Sequence, residues 1–219
     1  MAEGPALLRL LTWLAASFPT GGFAYSHGLE WSVEAGDIPN EAALTDWVRD
    51  VLHHGALWSD AILLRHAHRA DPATLQVLAE LAETLAPSSE RRLETLAQGA
   101  AFRAAAKPWP CAALAAFEDR PLAYPIAVGA VAAAHAVNAA DTTLAFLHAS
   151  AANMIFAAQR LIPLGQDAGL RVQAALEPTL LSVAADTETA TLDDLGSACW
   201  RTEIAAMRHE TQYTRLFRT

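Results

Sequence analysis

Histidines on one face of a helix can bind a metal ion, and this chain of 219 residues has eight of them. His53 and His54 are adjacent, and His66 and His68 are two residues apart, so the members of each pair point in different directions on a helix. No pair has the i, i+4 spacing that brings two imidazoles to one metal ion. We therefore interpret the histidines as surface or boundary residues.

Candidate nucleophiles and carboxylates do not form a catalytic pattern either. Ser26 precedes His27, but helix neighbours do not hydrogen-bond as nucleophile and base, and no G-x-S-x-G turn surrounds them. His209 precedes Glu210 without the second histidine of an H-E-x-x-H metal motif. The sequence therefore predicts no catalytic residue and no metal ligand, and hence a protein that is not an enzyme.

Composition excludes several further classes of protein. Only 18% of the residues are charged and 53% are hydrophobic, which argues against long disorder, and the net charge of −9 argues against a general nucleic-acid binder. Lys107 is the only lysine and is followed by Pro108, so the sequence contains no Walker A phosphate-binding loop.

Cysteine usage and hydropathy bear on the compartment. Cys111 and Cys199 form no C-x-x-C pair, which is typical of a reducing compartment. The first residues lack the basic region of a signal peptide, and the most apolar run, residues 122–137, is shorter than a membrane span. We expect a soluble, cytoplasmic protein that contacts no membrane.

Any candidate site must be positioned by helices, because the apolar spacing is helical nearly everywhere and no alternating run suggests a strand. Asn40, Asp71 and Asp141 are predicted N-caps, and Pro178 should break or kink the helix that contains it. The last helix is expected at about residues 195–207. The sequence therefore predicts an all-α protein, a single-domain bundle of roughly ten helices.

The segment SFPTGGFAYSHGLE, residues 17–30, is the most specific part of the chain. Gly21 and Gly22 permit a tight turn, and a helix is expected from about Ala24 to Ala35. Gly28 then lies inside that helix, at a cost of roughly 1 kcal/mol relative to alanine. We interpret this glycine as the point where another backbone approaches closely.

The outer face of the same predicted helix carries His27, Glu30, Trp31 and Glu34. Two carboxylates at i, i+4 do not stabilise a helix. A solvated face is one interpretation of this pattern. A surface for a partner or an ion is the other, because it would explain an exposed tryptophan.

Three blocks of sequence resemble the urease accessory protein UreF family. The first is residues 17–30, the second is RLIPLGQ at residues 160–166, and the third is RHETQYTRLFR at residues 208–218. Between them, Glu90, Glu94, Gly99 and Phe102 also fit the family pattern. The blocks occur in family order, so the resemblance extends over essentially the whole chain.

The resemblance implies an all-helical, non-catalytic homodimer that joins UreD (also called UreH) and the GTPase UreG, and thereby couples GTP hydrolysis to nickel delivery into apo-urease. Nickel and GTP would act through the complex, with no cofactor assigned to this chain. The partner-binding residues implied by the three blocks are Ser17, Pro19, Gly21, Gly22, Tyr25, Ser26, Gly28, Glu30, Glu34, Arg160, Pro163, Gly165, Gln166, Arg208, His209, Glu210, Gln212, Tyr213, Arg215, Leu216, Phe217 and Arg218.

The last twelve residues form a distinct predicted unit. We expect an all-helical domain over residues 1–207 and a partner-binding tail over residues 208–219, whose arginines and aromatic residues are typical of interface hot spots. Such a short terminal segment has little to pack against alone. We expect it to be mobile until UreD binds; the alternative is a tail packed on its own domain.

Two other classes stay open from the residues alone. A small helical hydrolase would use Ser26 or a histidine, and would turn over generic ester or phosphoester substrates. A helical transcriptional regulator would need a basic recognition helix and would retard DNA at low salt, but Arg9 is the one basic residue near the N-terminus.

Overall fold

A computed structural model describes residues 4–219, which form ten α-helices and three single 3₁₀ segments, with no strand in that range. This confirms the predicted all-α class. The helices are α1 (Gly4–Trp13), α2 (Leu29–Glu34), α3 (Glu41–His54), α4 (Ala56–Arg69), α5 (Pro72–Thr84), α6 (Ser89–Ala105), α7 (Tyr124–Ala134), α8 (Ala139–Leu161), α9 (Gln166–Asp186) and α10 (Trp200–His209).

Helix α7 forms the centre of the bundle. Its residues 125–132 are all buried, as expected for a helix that is apolar on every side. The backbone of α4 runs directly against it, because Gly129 has no side chain between its Cα and the Leu64 carbonyl. Helices α3, α8 and α9 complete the core on one side, and α6 packs against α7 on the other.

Local capping signals determine several helix starts. The Asn40 side chain accepts a hydrogen bond from the Ala43 amide (3.1 Å), and Asp71 does the same for Thr74 (2.7 Å), which confirms both predicted caps. The prediction for Asp141 is wrong, because α8 begins one turn earlier and Asn138 caps it.

Three other helix predictions need correction. Helix α9 continues through Pro178, so the predicted break does not occur, while the predicted alternative of a kink stays a prediction. The last helix begins at Trp200, because residues 192–194 form a separate 3₁₀ turn with a capping box. Helix α2 begins at Leu29, so the predicted helix from Ala24 does not form in its first turn.

Among residues 4–219, no helix is both long and apolar enough to cross a lipid bilayer. The apolar face of α1 is divided between core and solvent. Ala6, Leu10 and Trp13 are buried, whereas Leu8 and Leu11 leave more than half of their surface exposed. Helix α10 lies across α2 and the start of α6, and this crossing positions the candidate site.

Candidate functional site

Gly28 is the point at which α10 approaches the signature segment. It is the N-cap of α2 with φ +77°, a left-handed conformation that glycine adopts without strain, so its predicted place inside a helix is wrong. The predicted close approach is confirmed, because a Cβ at this position would lie 2.7 Å from the Ala206 nitrogen of α10. The glycine thus permits both the turn and the crossing of the two helices.

Glu30, in the first turn of α2, is only 7% exposed, and its carboxylate binds other parts of the same chain. Its carboxylate accepts hydrogen bonds from the backbone amides of Leu216 (2.5 Å) and Phe217 (2.9 Å). The Nε2 atom of His209 lies 3.0 Å from the same carboxylate. The solvated-face interpretation is therefore wrong for Glu30, because the tail covers this side of α2.

His209 is fully buried, so the surface or boundary interpretation is wrong for this histidine. Its Nδ1 atom lies 2.7 Å from the carboxylate of Glu90 on α6, opposite the contact with Glu30. The other Glu90 oxygen accepts a hydrogen bond from Arg215 (2.9 Å). Glu30, His209 and Glu90 are called the histidine bridge below; the bridge joins α2, the end of α10 and α6.

A second set of buried charges adjoins the histidine bridge. Glu94, one turn after Glu90, lies 3.2 Å from His27 Nε2 and accepts a hydrogen bond from Gln98. Arg91 is 3.7 Å from Glu94 and also pairs with Asp60 of α4. Because these charges are buried, each is held by a partner of opposite charge or by a hydrogen bond.

Burial changes the pKa of several of these groups. Burial raises the pKa of Asp60 to about 6, although the neighbouring Arg91 opposes the increase. Burial also raises the pKa of Glu90, against the effects of His209 and Arg215. The pKa of His27 is lowered by burial, which outweighs the attraction of Glu94. Burial thus favours the neutral form of all three groups.

The tail runs alongside the signature segment. The Ser26 hydroxyl and backbone amide both donate to the backbone oxygen of Thr219 (2.7 and 2.6 Å), and the Arg218 amide donates to the Ala24 carbonyl (2.8 Å). Phe217 is buried beneath the Arg160 guanidinium, which is 4.4 Å from the ring centre. The packed tail is therefore the arrangement the structure has, and the expected mobile tail is not seen.

All three sequence blocks meet at this place. Arg160, at the end of α8, also donates a hydrogen bond to the carbonyl of Phe23 (3.1 Å), so one side chain contacts both the tail and the signature segment. The domain boundary predicted at residue 207 falls inside α10, whose last residue is His209.

Other residues of the blocks lie outside the buried network. Glu34 is exposed and accepts a hydrogen bond from Gln212, and Glu210 accepts one from the Ser89 amide. Tyr25 is buried beneath the tail, whereas Gly21 and Gly22 form the turn before it. The seven other partner-binding candidates are exposed and take part in none of the network's hydrogen bonds: Ser17, Pro19, Pro163, Gly165, Gln166, Arg208 and Tyr213.

A small, partly open cavity adjoins this arrangement. It measures about 40 Å³ and is lined by His27, Gly28, Glu94, Thr202 and Thr219, among others. Since a water needs roughly 10–15 Å³, the space fits one or a few waters. Within the described residues 4–219, no group of three or more histidine, cysteine, aspartate or glutamate side chains could hold a metal ion.

Asp60 and Arg91 are the parts of the network that sequence reasoning missed. Arg91 follows Glu90, a residue of the family pattern, and its place beside two such glutamates was the available signal. Asp60 had no signal, because it lies on α4 within an ordinary amphipathic pattern.

The outside of this region is apolar. Trp200, Ile204 and Met207 follow each other at i, i+4 and i+7 on α10, with 67%, 50% and 47% of their surface exposed. Tyr213 and Leu216 add exposed apolar area from the tail. These five residues are called the C-terminal face below. Exposed apolar stripes such as the one on α10 are typical of partner-binding surfaces.

The fold and the site therefore define an all-helical protein in which buried charges hold a tail in place and apolar side chains are left on the outside. The comparisons with known proteins give the family. Residues 38–177 match the family model for UreF. The chain belongs to the urease accessory protein UreF family.

Curated relatives agree over nearly the full length. The chain is 52% identical to the urease accessory protein UreF of Rhodopseudomonas palustris (strain BisA53), covering 100% of this chain and 95% of the relative. It is 51% identical to that of Bradyrhizobium diazoefficiens, covering 99% and 93%. The family prediction is confirmed. So is the prediction of a non-catalytic role, because the relatives are named as accessory proteins of an enzyme.

Proposed function

We propose that this urease accessory protein joins UreD and the GTPase UreG in one cytoplasmic complex, and that it couples GTP hydrolysis to nickel delivery into apo-urease. Family membership supports the assignment to urease maturation. The sequence has no Walker A loop, so the nucleotide chemistry is assigned to the partner GTPase. Family membership also leaves the hydrolase and transcriptional-regulator alternatives without support.

The C-terminal face is the observation that carries this proposal, and we assign it to UreD. Its apolar residues lie beside Arg201 and Arg208 on an otherwise acidic chain. Tryptophan, tyrosine and arginine are the side chains that contribute most at the centres of protein interfaces. A partner with an apolar centre and an acidic rim would therefore match this face in hydrophobicity and charge.

Charge substitutions on this face test the assignment. Ile204→Glu and Met207→Glu place a carboxylate on an exposed position, so the fold should tolerate them. We expect both variants to lose co-purification with UreD and to give urease with less nickel and less activity. Leu181→Glu on α9 is the matched control, because that leucine is equally exposed but lies on another helix.

If Ile204→Glu and Met207→Glu bind UreD as well as the unchanged protein, the C-terminal face is not the UreD site. If the Leu181→Glu control loses binding as well, the effect belongs to surface charge in general. UreG binding is measured in the same pull-down, with and without UreD. The joining role is supported if the chain retains UreG without UreD, retains UreD without UreG, and forms a complex with both together.

We also propose a homodimer, which the family resemblance implies. The exposed side chains of α1, namely Leu7, Leu8 and Leu11, are the candidate contact because an apolar helix face needs cover. Leu8→Glu with Leu11→Glu should convert a dimer to a monomer in size-exclusion chromatography with light scattering. An unchanged mass would remove α1 from the dimer contact.

A further inference from the structure

The histidine bridge requires one more proton than a neutral His209 and two ionised carboxylates contain. An ionised carboxylate only accepts hydrogen bonds, and a neutral imidazole donates from one nitrogen only. Yet His209 faces a carboxylate oxygen from both nitrogens, at 2.7 Å to Glu90 and 3.0 Å to Glu30. Both contacts are hydrogen bonds only if the bridge holds one extra proton.

The surroundings indicate where this proton resides. Glu30 also accepts the amides of Leu216 and Phe217, so we treat it as the acceptor in its contact with His209 as well. The proton is therefore on His209 or Glu90. Burial raises the pKa of Glu90 while Arg215 and His209 oppose the increase, so the two groups compete for it.

The charges packed around the bridge favour uptake of this proton. They come from the segment before α2, from α2, α4 and α6, and from the tail. Four buried carboxylates face two guanidinium groups, and the exposed Glu210 adds further negative charge near Glu90. The titratable and charged groups around His209 are His27, Glu30, Asp60, Glu90, Arg91, Glu94, Glu210 and Arg215.

We propose that docking of residues 209–219 on α2 and α6 takes up one proton, so that rising pH releases the tail. An imidazole in water is mostly neutral above about pH 7, whereas the docked geometry needs the proton for both hydrogen bonds of His209. A group that binds its proton more tightly when docked stabilises docking fully at low pH, and this stabilisation is lost as pH rises. The loss approaches about tenfold in the docking equilibrium per pH unit.

Release of the tail removes Tyr213 and Leu216 from the face assigned to UreD and thereby weakens UreD binding. This consequence for urease maturation rests on the proposed function. The docking equilibrium itself does not depend on it. The test uses the full chain without partners, so a failed UreD assignment would leave its result unchanged.

Hydrogen exchange of the Leu216 and Phe217 amides between pH 6 and 9 measures docking, once expressed as protection relative to the intrinsic rate. We expect protection to fall with pH by up to about tenfold per unit, while amides of α4 stay protected. In Glu90→Gln, the side-chain amide donates to neutral His209 and its oxygen still accepts from Arg215. This variant should therefore keep a docked tail and lose the pH dependence.

Glu80→Gln, an exposed position on α5, is the matched control and should keep the original slope. Equal protection at pH 6 and 9 in the unchanged protein would overturn the proposal, as would an unchanged slope in Glu90→Gln. If Glu90→Gln does not fold, the ring ¹⁵N shifts of His209 and the carboxyl ¹³C shift of Glu90 in the unchanged protein decide. A neutral ring beside an ionised Glu90 in the docked state would then contradict the extra proton.

Discussion

Replacing Glu30 by alanine should release the tail without unfolding the domain. The substitution removes the acceptor for three donors, the amides of Leu216 and Phe217 and the ring of His209. The sequence places Glu30 on an outer helix face, and a surface carboxylate usually contributes little to stability. Its burial beneath the tail changes the expected result.

The magnitude follows from those three contacts. A hydrogen bond to a charged group contributes about 1.5–3 kcal/mol, and three bonds that share one carboxylate are not additive, so docking should weaken by about 3–6 kcal/mol. The loss in global stability is smaller than this, because the rest of the domain stays folded once the tail is undocked. Its limit is the docking free energy of the tail, to which burial of Phe217 contributes about 1.5–3 kcal/mol.

Trypsin provides the assay, because Arg215 and Arg218 lie in the tail and are cut only when the segment is extended. Intact mass spectrometry follows loss of the tail, and circular dichroism follows the helical domain. A loss of 3 kcal/mol corresponds to a rise of about a hundredfold in the open fraction. Glu30→Ala should therefore be trimmed about a hundredfold faster than the unchanged protein at nearly the same helix content.

Glu34→Ala is the matched control on the same helix. Glu34 is exposed and loses only the hydrogen bond from Gln212, so tail cleavage should change less than threefold, which is about 0.6 kcal/mol. A tail in Glu30→Ala that resists trypsin like the unchanged protein would refute the reasoning. Loss of all helical signal would instead show that the carboxylate holds the whole domain together.

Four further predictions concern other parts of the chain. Gly28→Ala should lower the melting temperature well beyond Gly36→Ala, since both glycines have positive φ but only Gly28 meets the α10 backbone. Asn40→Ala should cost about 1 kcal/mol in urea unfolding through loss of the α3 cap. Burial raises the pKa of Asp60 from 3.8 to about 6, so between these values the folded state binds more protons than the unfolded state and its stability falls as pH rises. Asp60→Asn should reduce this decrease in the free energy of unfolding, measured from pH 4 to 7. Deleting residues 213–219 should leave the helices folded and abolish co-purification with UreD, and full UreD binding by this truncation would show that the tail is dispensable.

Local signals determined the elements of this fold. The helical period predicted the all-α class, and Asn40 and Asp71 predicted two helix starts, because capping depends on residues three positions apart. Two predictions from such local rules were wrong. Asn138 caps α8 in place of Asp141, and α9 continues through Pro178 without the predicted break.

The sequence blocks also determined the family, and they contain most of the residues around the tail. Arg160 belongs to the second block, and Glu90 and Glu94 belong to the pattern between the blocks. What the blocks could not indicate was how their residues meet. Arg91 and Asp60 were missed because charged residues on amphipathic helices look the same whether they face water or each other.

Only the tertiary structure decided which side of α2 is covered. From the sequence, Glu30 belongs to a polar helix face, and such a face is solvated unless another segment arrives. That segment lies 186 residues away at Leu216, and His209 lies 179 residues away. Periodicity and capping act over a few residues along the chain, whereas burial of a carboxylate depends on every element packed around it. The sequence alone therefore predicts Glu30 as a surface residue, whereas in the folded protein its carboxylate holds the tail in place.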